Sequence, residues 1–358
     1  QRGLKRLLRL ALDWPAPGGT LSLRARAGVA LNAARRHKPV CEQSFRPWAD
    51  ALERDGLAVS EANSGRFERV LVLAPRQRDE SRALMARAVA ACAPGGRVLA
   101  CVANNEGAKS AEDDLRRIAG SVSTLTKNKC RVFWTAPRGE PVQAAAPGGA
   151  AADAPSAHPE RAEARDLAAA WRHLDHIRPI AGGRLLSRPG VFAWDRIDPA
   201  SALLVEHLPP DLAGQAADLG AGVGYLGVEL LARCPRITAL DLYEAEARAL
   251  DLARRNLQSH ADRATLRFHW HDVTTGVPEQ YDFIVSNPPF HTGLKTDYHI
   301  SEQFFRDAFN ELKPGGTLTL VANVHLPYVA QLTEIFGQVK ELGRRDGFVV
   351  YYCKKDRK

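Results

Sequence analysis

Between Ala216 and Gly227 the chain reads Ala-Ala-Asp-Leu-Gly-Ala-Gly-Val-Gly-Tyr-Leu-Gly. An apolar run stops at Leu219, glycines turn the backbone with no Cβ in the way, and a helical pattern begins near Leu226. A strand that passes through such a turn into a helix commits the chain to a βαβ crossover, and so to a parallel sheet with helices on its faces. The sequence around it fits. Strands are expected at Ala216–Leu219, Ile237–Tyr243, Thr265–His269, Phe283–Ser286, Thr317–Val321 and Gly347–Tyr352. Helices are expected at Leu226–Arg233, Glu246–Gln258, Ser301–Leu312 and Tyr328–Phe336, the last stopped by Gly337. This alternation specifies a doubly wound α/β fold with a mixed sheet, its final strand an antiparallel edge.

With 358 residues the chain exceeds one ordinary core, and its composition shows where it divides. Arg138 to Pro159 is rich in Ala, Pro and Gly with almost no large apolar side chain, so residues 138–159 read as a flexible linker. Residues 1–137 and 160–358 are then two domains. The first carries an echo of the second. Pro94-Gly95-Gly96 leads through a buried strand to Val102-Ala103-Asn104, as Pro314-Gly315-Gly316 leads to Val321-Ala322-Asn323. This points to an internal duplication, two tandem copies of one fold. In the first copy the apolar strand Val70–Leu73 is followed by Ala74-Pro75-Arg76-Gln77, with no glycine loop, so that copy is expected to be degenerate.

The totals exclude several classes. No apolar run approaches the roughly 18 residues that span a bilayer, and Gln1–Leu10 gives no secretory leader. Six scattered cysteines without a C-x-x-C pair fit neither a disulfide framework nor a zinc site, and imply reduced thiols in a cytoplasm. His269 and His271 share a strand face but lack a third ligand nearby, so no metal is expected. The net charge of +8 is compatible with a polyanionic partner. Arg344 and Arg345, and Lys127, Lys129 and Arg131, are candidate contacts to it, against the plainer reading of a solvated surface.

Gly222-Val223-Gly224-Tyr225-Leu226-Gly227 satisfies the dinucleotide pattern G-x-G-x-x-G, which by itself does not separate a nicotinamide cofactor from S-adenosylmethionine. Asp218, two residues before Gly220, favours the latter, whose methionine amine takes a carboxylate partner. Glu244, where the second strand hands over to its helix, is preferred to Asp241 as the acid accepting the ribose hydroxyls. Asp272, just past the third strand, is placed for the adenine amine or, equally simply, as a turn aspartate.

Ser286-Asn287-Pro288-Pro289-Phe290 follows the fourth strand and decides the chemistry. Two prolines donate no hydrogen bonds and hold an extended corner, which frees the carbonyls there for a ligand. An exocyclic amine conjugated to a ring is a poor nucleophile because its lone pair is delocalised. Acceptors at the Asn287 side-chain oxygen and the Pro288 carbonyl would return density to the nitrogen and aim it at a sulfonium methyl. Phe290 would stack on the base. A dehydrogenase has no use for such a corner.

Together, the glycine loop, the acidic strand end and Asn287-Pro288-Pro289-Phe290-His291 resemble the bacterial ribosomal RNA guanine-N2 methyltransferases. The similarity extends through Pro189-Gly190-Val191-Phe192, Asp198 and Leu203-Leu204 upstream, and through Gly315-Gly316, Leu326-Pro327-Tyr328 and Phe336-Gly337 downstream. It is looser in the first domain, where it includes Lys127-Asn128-Lys129-Cys130. The resemblance implies a Rossmann-like class I methyltransferase with a degenerate N-terminal copy that supports RNA binding. It implies cofactor contacts from Asp218, Gly220, Ala221, Gly222, Gly224, Asp241 or Glu244, Asp272 and Asn287, and substrate contacts from Asn287, Pro288, Pro289 and Phe290. Ala221 stands where the family commonly has cysteine. The small-subunit branch is the nearer one, so the implied partner is 16S rRNA or the small ribosomal subunit. No membrane partner is expected, and the oligomeric state is left open, a monomer being favoured over an oligomer. The alternatives are a guanine of 23S rRNA, adenine N6 or a protein glutamine, since all present a planar amine or amide. Two further rivals are an RNA-binding factor that keeps only the fold and an oxidoreductase.

Overall fold

In the computed structural model, residues 14–139, 159–288 and 298–356 are described. They form two compact units, residues 1–176 and 177–358. Most of the expected linker lies outside the described residues. The boundary itself moves from the expected 159/160 to 176/177. The helix Pro159–Trp171 belongs to the first unit. Trp171 is buried in that unit's core, with the guanidinium of Arg82 4.9 Å and that of Arg117 5.5 Å from its ring.

The first unit has strands β1 (Thr20–Leu23), β2 (Val40–Glu42), β3 (Val59–Ser60), β4 (Phe67–Leu73), β5 (Cys92–Ala103), β6 (Val122–Lys127) and β7 (Cys130–Thr135). The second has a short hairpin, β8 (Arg178–Ile180) and β9 (Leu185–Ser187). Its main sheet follows as β10 (Ala213–Leu219), β11 (Arg236–Glu244), β12 (Thr265–Trp270), β13 (Tyr281–Ser286), β14 (Leu312–Asn323), β15 (Gln338–Arg345) and β16 (Phe348–Lys354). The seven-stranded sheets run β3-β2-β1-β4-β5-β7-β6 and β12-β11-β10-β13-β14-β16-β15. These are one topology, strand for strand, with five parallel strands and an antiparallel pair at one side. The duplication suggested by the two Pro-Gly-Gly turns is therefore visible in the fold; both turns lie inside equivalent strands, β5 and β14.

Two expectations change. The penultimate strand, β15, has the sequence Gln-Val-Lys-Glu-Leu-Gly-Arg-Arg and lacks the apolar alternation that marks a strand. It forms the edge, where charged side chains face water and guard the unpaired backbone. β16, expected at the edge, lies instead between β14 and β15, and its Val349, Val350 and Tyr351 are buried accordingly. The second change concerns the lost glycine loop. Val70–Leu73 belongs to β4, the counterpart of β13, so the turn that corresponds to the glycine loop is the one after β1.

In the second unit alternation along each strand splits the core in two. Leu240, Leu242, Phe283 and Val285 face the helices Pro199–Glu206, Tyr225–Arg233 and Ala247–Asn256. Ala217, Leu219, Tyr243 and Ile284 face the helices Tyr298–Asn310 and Tyr328–Phe336. Both faces of the sheet are covered, as a doubly wound sheet requires.

Candidate functional site

The order of strands reverses between β10 and β13, whose crossover helices lie on opposite faces of the sheet. Chains leaving the carboxyl ends of two such strands diverge and leave a crevice, the usual ligand position in an open α/β sheet. Asp218 pairs with Val285 in the parallel register, so Gly220 and Asn287 leave the sheet side by side. The hydroxyl of Ser286 donates to the carbonyl of Leu219 at 2.6 Å and ties the two strand ends together.

The glycines of the loop do different work. Gly220, Gly222 and Gly224 all have positive φ (83°, 55° and 85°). A Cβ on Gly222 would meet no atom within 4 Å, so the space above its backbone is open. A Cβ on Gly224 would lie 2.6 Å from Leu257 Cδ1, so this glycine serves helix packing. Gly227 has no positive φ, but a Cβ there would lie 3.2 Å from Leu240, Leu242 and Leu257. Between them, the amides of Gly220 and Ala221 donate to the Tyr243 carbonyl at 2.9 and 3.0 Å, and the Ala221 methyl is buried in the core.

Two carboxylates stand under this loop. Asp218 is fully buried and neither oxygen has a hydrogen-bond partner. Burial, and then the neighbouring charge of Glu244, push its pKa up to about 8; the Gly227 amide nearby opposes this weakly, without reaching hydrogen-bond geometry. Glu244, where burial also raises the pKa, accepts from the Gly222 amide with Oε2 (2.8 Å) and from the Glu246 amide with Oε1 (2.7 Å). Each of its oxygens keeps a lone pair for a further donor. An unpartnered buried acid, an oriented second acid and bare backbone beside them suit a ligand that brings a cation and hydroxyl donors.

Asp241 is not part of this group. It lies three residues before Glu244, on the other face of β11, and all its capacity is taken. Arg267 donates to both oxygens (2.5 and 2.9 Å), Tyr281 donates at 2.9 Å and His269 lies at 3.3 Å. Burial raises its pKa, but these hydrogen bonds outweigh it and hold the carboxyl below the ordinary aspartate range. Asp272 caps a 3-10 turn, accepting from the amide and hydroxyl of Thr274 through Oδ1 alone and leaving Oδ2 uncommitted.

Asn287 is half-buried and Pro288 buried; Pro289 and Phe290 lie outside the described residues. The Asn287 Nδ2 donates to Asp198 Oδ2 and to Ser201 Oγ, both at 2.9 Å. Asp198 also caps the helix Pro199–Glu206, accepting from the Ser201 amide at 2.9 Å. That helix is absent from the expected elements, although Asp-Pro followed by Ser201 is a helix-start signal. Asp198 and Ser201 have no expected role at the site either.

His269 stacks on Tyr243 at 4.3 Å, and His271 Nε2 lies 2.7 Å from the Gly276 carbonyl. Among the described residues no group of three or more His, Cys, Asp or Glu is placed to hold a metal. The candidate basic patch at Arg344 and Arg345 is internally neutralised, by Glu341 and Glu206 at 2.9 Å. Arg131 pairs with Glu112 at 2.6 Å, whereas Lys127 and Lys129 are exposed on the β6–β7 turn.

Comparison with known proteins shows what this chain is similar to. Residues 182–352 match the methyltransferase small domain. A Ribosomal RNA small subunit methyltransferase C from Pseudomonas aeruginosa is 39% identical over 183 residues, 49% of this chain and 53% of that protein. The chain thus spans about half the length of that relative, as it does of several others. A protein of the same description from Psychromonas ingrahamii is 26% identical over 91% of this chain and 88% of its own length. A solved structure of a 16S rRNA N2 G1207 methyltransferase from T. thermophilus, in complex with AdoMet and guanosine, is 23% identical. It has a TM-score of 0.74, covering 99% of this chain and 92% of that one, so the two-copy fold is shared.

Proposed function

We propose, from the match of residues 182–352 to the methyltransferase small domain, that the chain transfers a methyl group from S-adenosylmethionine to the N2 amine of a guanine in 16S rRNA. The observation that carries the proposal is the placement of Asn287. Its amide stands at the switch point beside the glycine loop, with both amide hydrogens already engaged and the oxygen left to accept.

The residues present suit S-adenosylmethionine. The open backbone at Gly222 gives the nucleoside room, Glu244 would receive the ribose hydroxyls, and Asp218 would balance the methionine ammonium. Asp272 Oδ2 would accept from the adenine amine. When bound, the cofactor would supply an electrophilic sulfonium methyl. Asn287 Oδ1 and the Pro288 carbonyl would each accept a hydrogen of the guanine amine, raising electron density on nitrogen and fixing its direction. The transferred methyl would come from that sulfonium, whose sulfur would keep the electron pair of the broken carbon–sulfur bond. The proton of the methylated nitrogen would pass to water, so no residue would have to act as a strong base. Catalysis here is positioning and charge, not proton abstraction. Phe290 remains the proposed stacking partner of the base.

The relatives described as small-subunit methyltransferases support 16S rRNA, or the assembled small subunit, as the partner and the cytoplasm as the place. Among the described residues no helix is long and apolar enough to cross a membrane. The test is methyl transfer from radiolabelled S-adenosylmethionine to naked 16S rRNA, small subunits, 23S rRNA, DNA and a release factor. Label in guanine of 16S rRNA or small subunits is expected, with Asn287→Ala losing about 1,000-fold in turnover while still binding the cofactor. Label confined to adenine or to protein would overturn the substrate, and full activity of Asn287→Ala would overturn the mechanism.

A further inference from the structure

An asparagine amide has two ends of nearly equal shape and opposite hydrogen-bonding character. Only one of them helps this reaction. If the amide turned over, its NH2 would face an amine whose own hydrogens need acceptors, and the nitrogen would gain nothing. We propose that Asp198 and Ser201 are the positioning residues that forbid this, and that the Asp198 carboxylate also polarises the Asn287 amide so that its oxygen is a stronger acceptor. The inference rests on the reading of Asn287 as acceptor for the substrate amine.

The geometry leaves little freedom. A carboxylate can only accept, so the end of Asn287 that faces Asp198 at 2.9 Å must be Nδ2. The second amide hydrogen goes to Ser201 Oγ at 2.9 Å, which leaves Oδ1 as the only end free to take a donor. The turned-over amide would set its oxygen against Asp198. The anchor is itself fixed. Asp198 Oδ2 accepts from the Ser201 amide as well, and Pro199 sets the first helical φ. Ser201 is buried, and the helix Pro199–Glu206 is seated on the sheet by Leu203 and Leu204, 2% and 0% exposed. A negative charge on the donor side of an amide draws its hydrogens and pushes density toward its oxygen. Asp198 thus acts on the substrate only through Asn287.

The test separates this role from the plain one of a helix cap. Serine is as good a cap as aspartate, but its hydroxyl is shorter and can both donate and accept, so it does not dictate the amide's orientation. With the full chain, S-adenosylmethionine and unmethylated small subunits, Asp198→Ser is expected to lower kcat about 10- to 100-fold. KM, cofactor affinity and Tm should stay near wild type. Asp198→Asn, which can keep both contacts without the charge, should fall between the two. In an Asn287→Ala background Asp198→Ser should cost nothing further, because its only route to the substrate is gone. A wild-type kcat in Asp198→Ser would overturn the inference, and so would an equal additional loss in the Asn287→Ala background or a loss of kcat matched by loss of Tm. Retained turnover in Asn287→Ala alone would instead overturn the underlying reading of the site.

Discussion

The two units share a strand order yet differ at nearly every position where the second one builds its site. The sheet registers align them: Leu23 pairs with Glu42 as Leu219 pairs with Tyr243, so the residues that follow correspond one by one. Ser22 takes the place of Asp218, and the turn after β1 reads Arg24-Ala25-Arg26 against Gly220-Ala221-Gly222. Backbone was kept. Arg24 retains a positive φ of 52°, Ala25 is buried like Ala221, and its amide donates to the Glu42 carbonyl as Ala221 donates to that of Tyr243. Chemistry was not. Where Gly222 has open space, Arg26 carries a guanidinium that lies 3.6 Å above the ring of Trp48. Leu73 and Ala74 occupy the places of Asn287 and Pro288. A fold of this kind stores the framework in its strands and the activity in a handful of loop residues, and the two can be lost separately.

Glu244 and its counterpart Gln43 give the sharpest test of that separation. Both use one oxygen to accept an amide two residues on, at 2.7 Å for Glu244 and 2.9 Å for Gln43. The other end differs: Glu244 Oε2 accepts from the Gly222 amide, whereas Gln43 Nε2 donates to the Ala25 carbonyl at 2.6 Å. The first leaves acceptor capacity for a ligand, and the second closes the loop on itself. Glu244→Gln should set an NH2 against a backbone N–H and weaken S-adenosylmethionine binding by about 10- to 100-fold, measured by calorimetry. Gln43→Glu should set a carboxylate oxygen against a carbonyl, destabilise the first unit by about 1–3 kcal/mol and leave cofactor affinity unchanged. If Gln43→Glu created a second binding site, the first unit would be a dormant enzyme rather than a scaffold.

How far the sequence showed this difference depends on what kind of signal each residue gave. The βα alternation, the glycine loop and the Asn287-Pro288 corner are local patterns with local causes, and each lies where its pattern placed it. Gln43 has no pattern. Its relation to Glu244 exists only through strand pairing, and comparing Val70–Leu73 with the glycine-loop strand put the two copies out of step. Glu244 is preferred to Asp241 in the sequence for its place at the end of the strand. The two face opposite ways, as residues three apart on a strand do, and only the network of Arg267, His269 and Tyr281 shows which face is spoken for. Asp198 acts on Asn287 from 89 positions away in sequence. The polar strand β15 gave no apolar period because an edge needs none.

A smaller effect should distinguish Asp218 from its uncharged counterpart Ser22. With its pKa raised from 3.8 to about 8, Asp218 stays protonated in the folded protein where the unfolded chain would release the proton. The folded state then binds more protons, so its contribution to the stability of the ligand-free protein is full below about pH 4 and is lost as pH rises toward 8. Glu244, also raised, acts in the same direction. A ligand ammonium favours the ionised form, so binding must expel a proton and affinity should rise with pH. Between pH 6 and 7.5 the ligand amine remains largely protonated, and S-adenosylmethionine affinity should increase over this range by up to about tenfold per pH unit. Asp218→Asn should flatten the slope. A pH-independent affinity in the unaltered protein would mean that Asp218 does not face the ammonium.

The smallest expected effect concerns the first unit's remaining use. Its β6–β7 turn exposes Lys127 and Lys129, while the corresponding β15–β16 turn of the second unit carries Arg344 and Arg345 already paired with Glu341 and Glu206. An arginine held by a carboxylate must give up that partner before it can neutralise a phosphate, and an exposed lysine pays no such cost. Reversing the lysines (Lys127→Glu with Lys129→Glu) should therefore weaken binding to 16S rRNA a few-fold and reduce the slope of log affinity against log salt by about two contacts' worth. Reversing Arg344 and Arg345 should change that slope less, because their charges are already spent within the protein. Equal effects from the two pairs would erase the proposed distinction between a unit that holds RNA and a unit that modifies it.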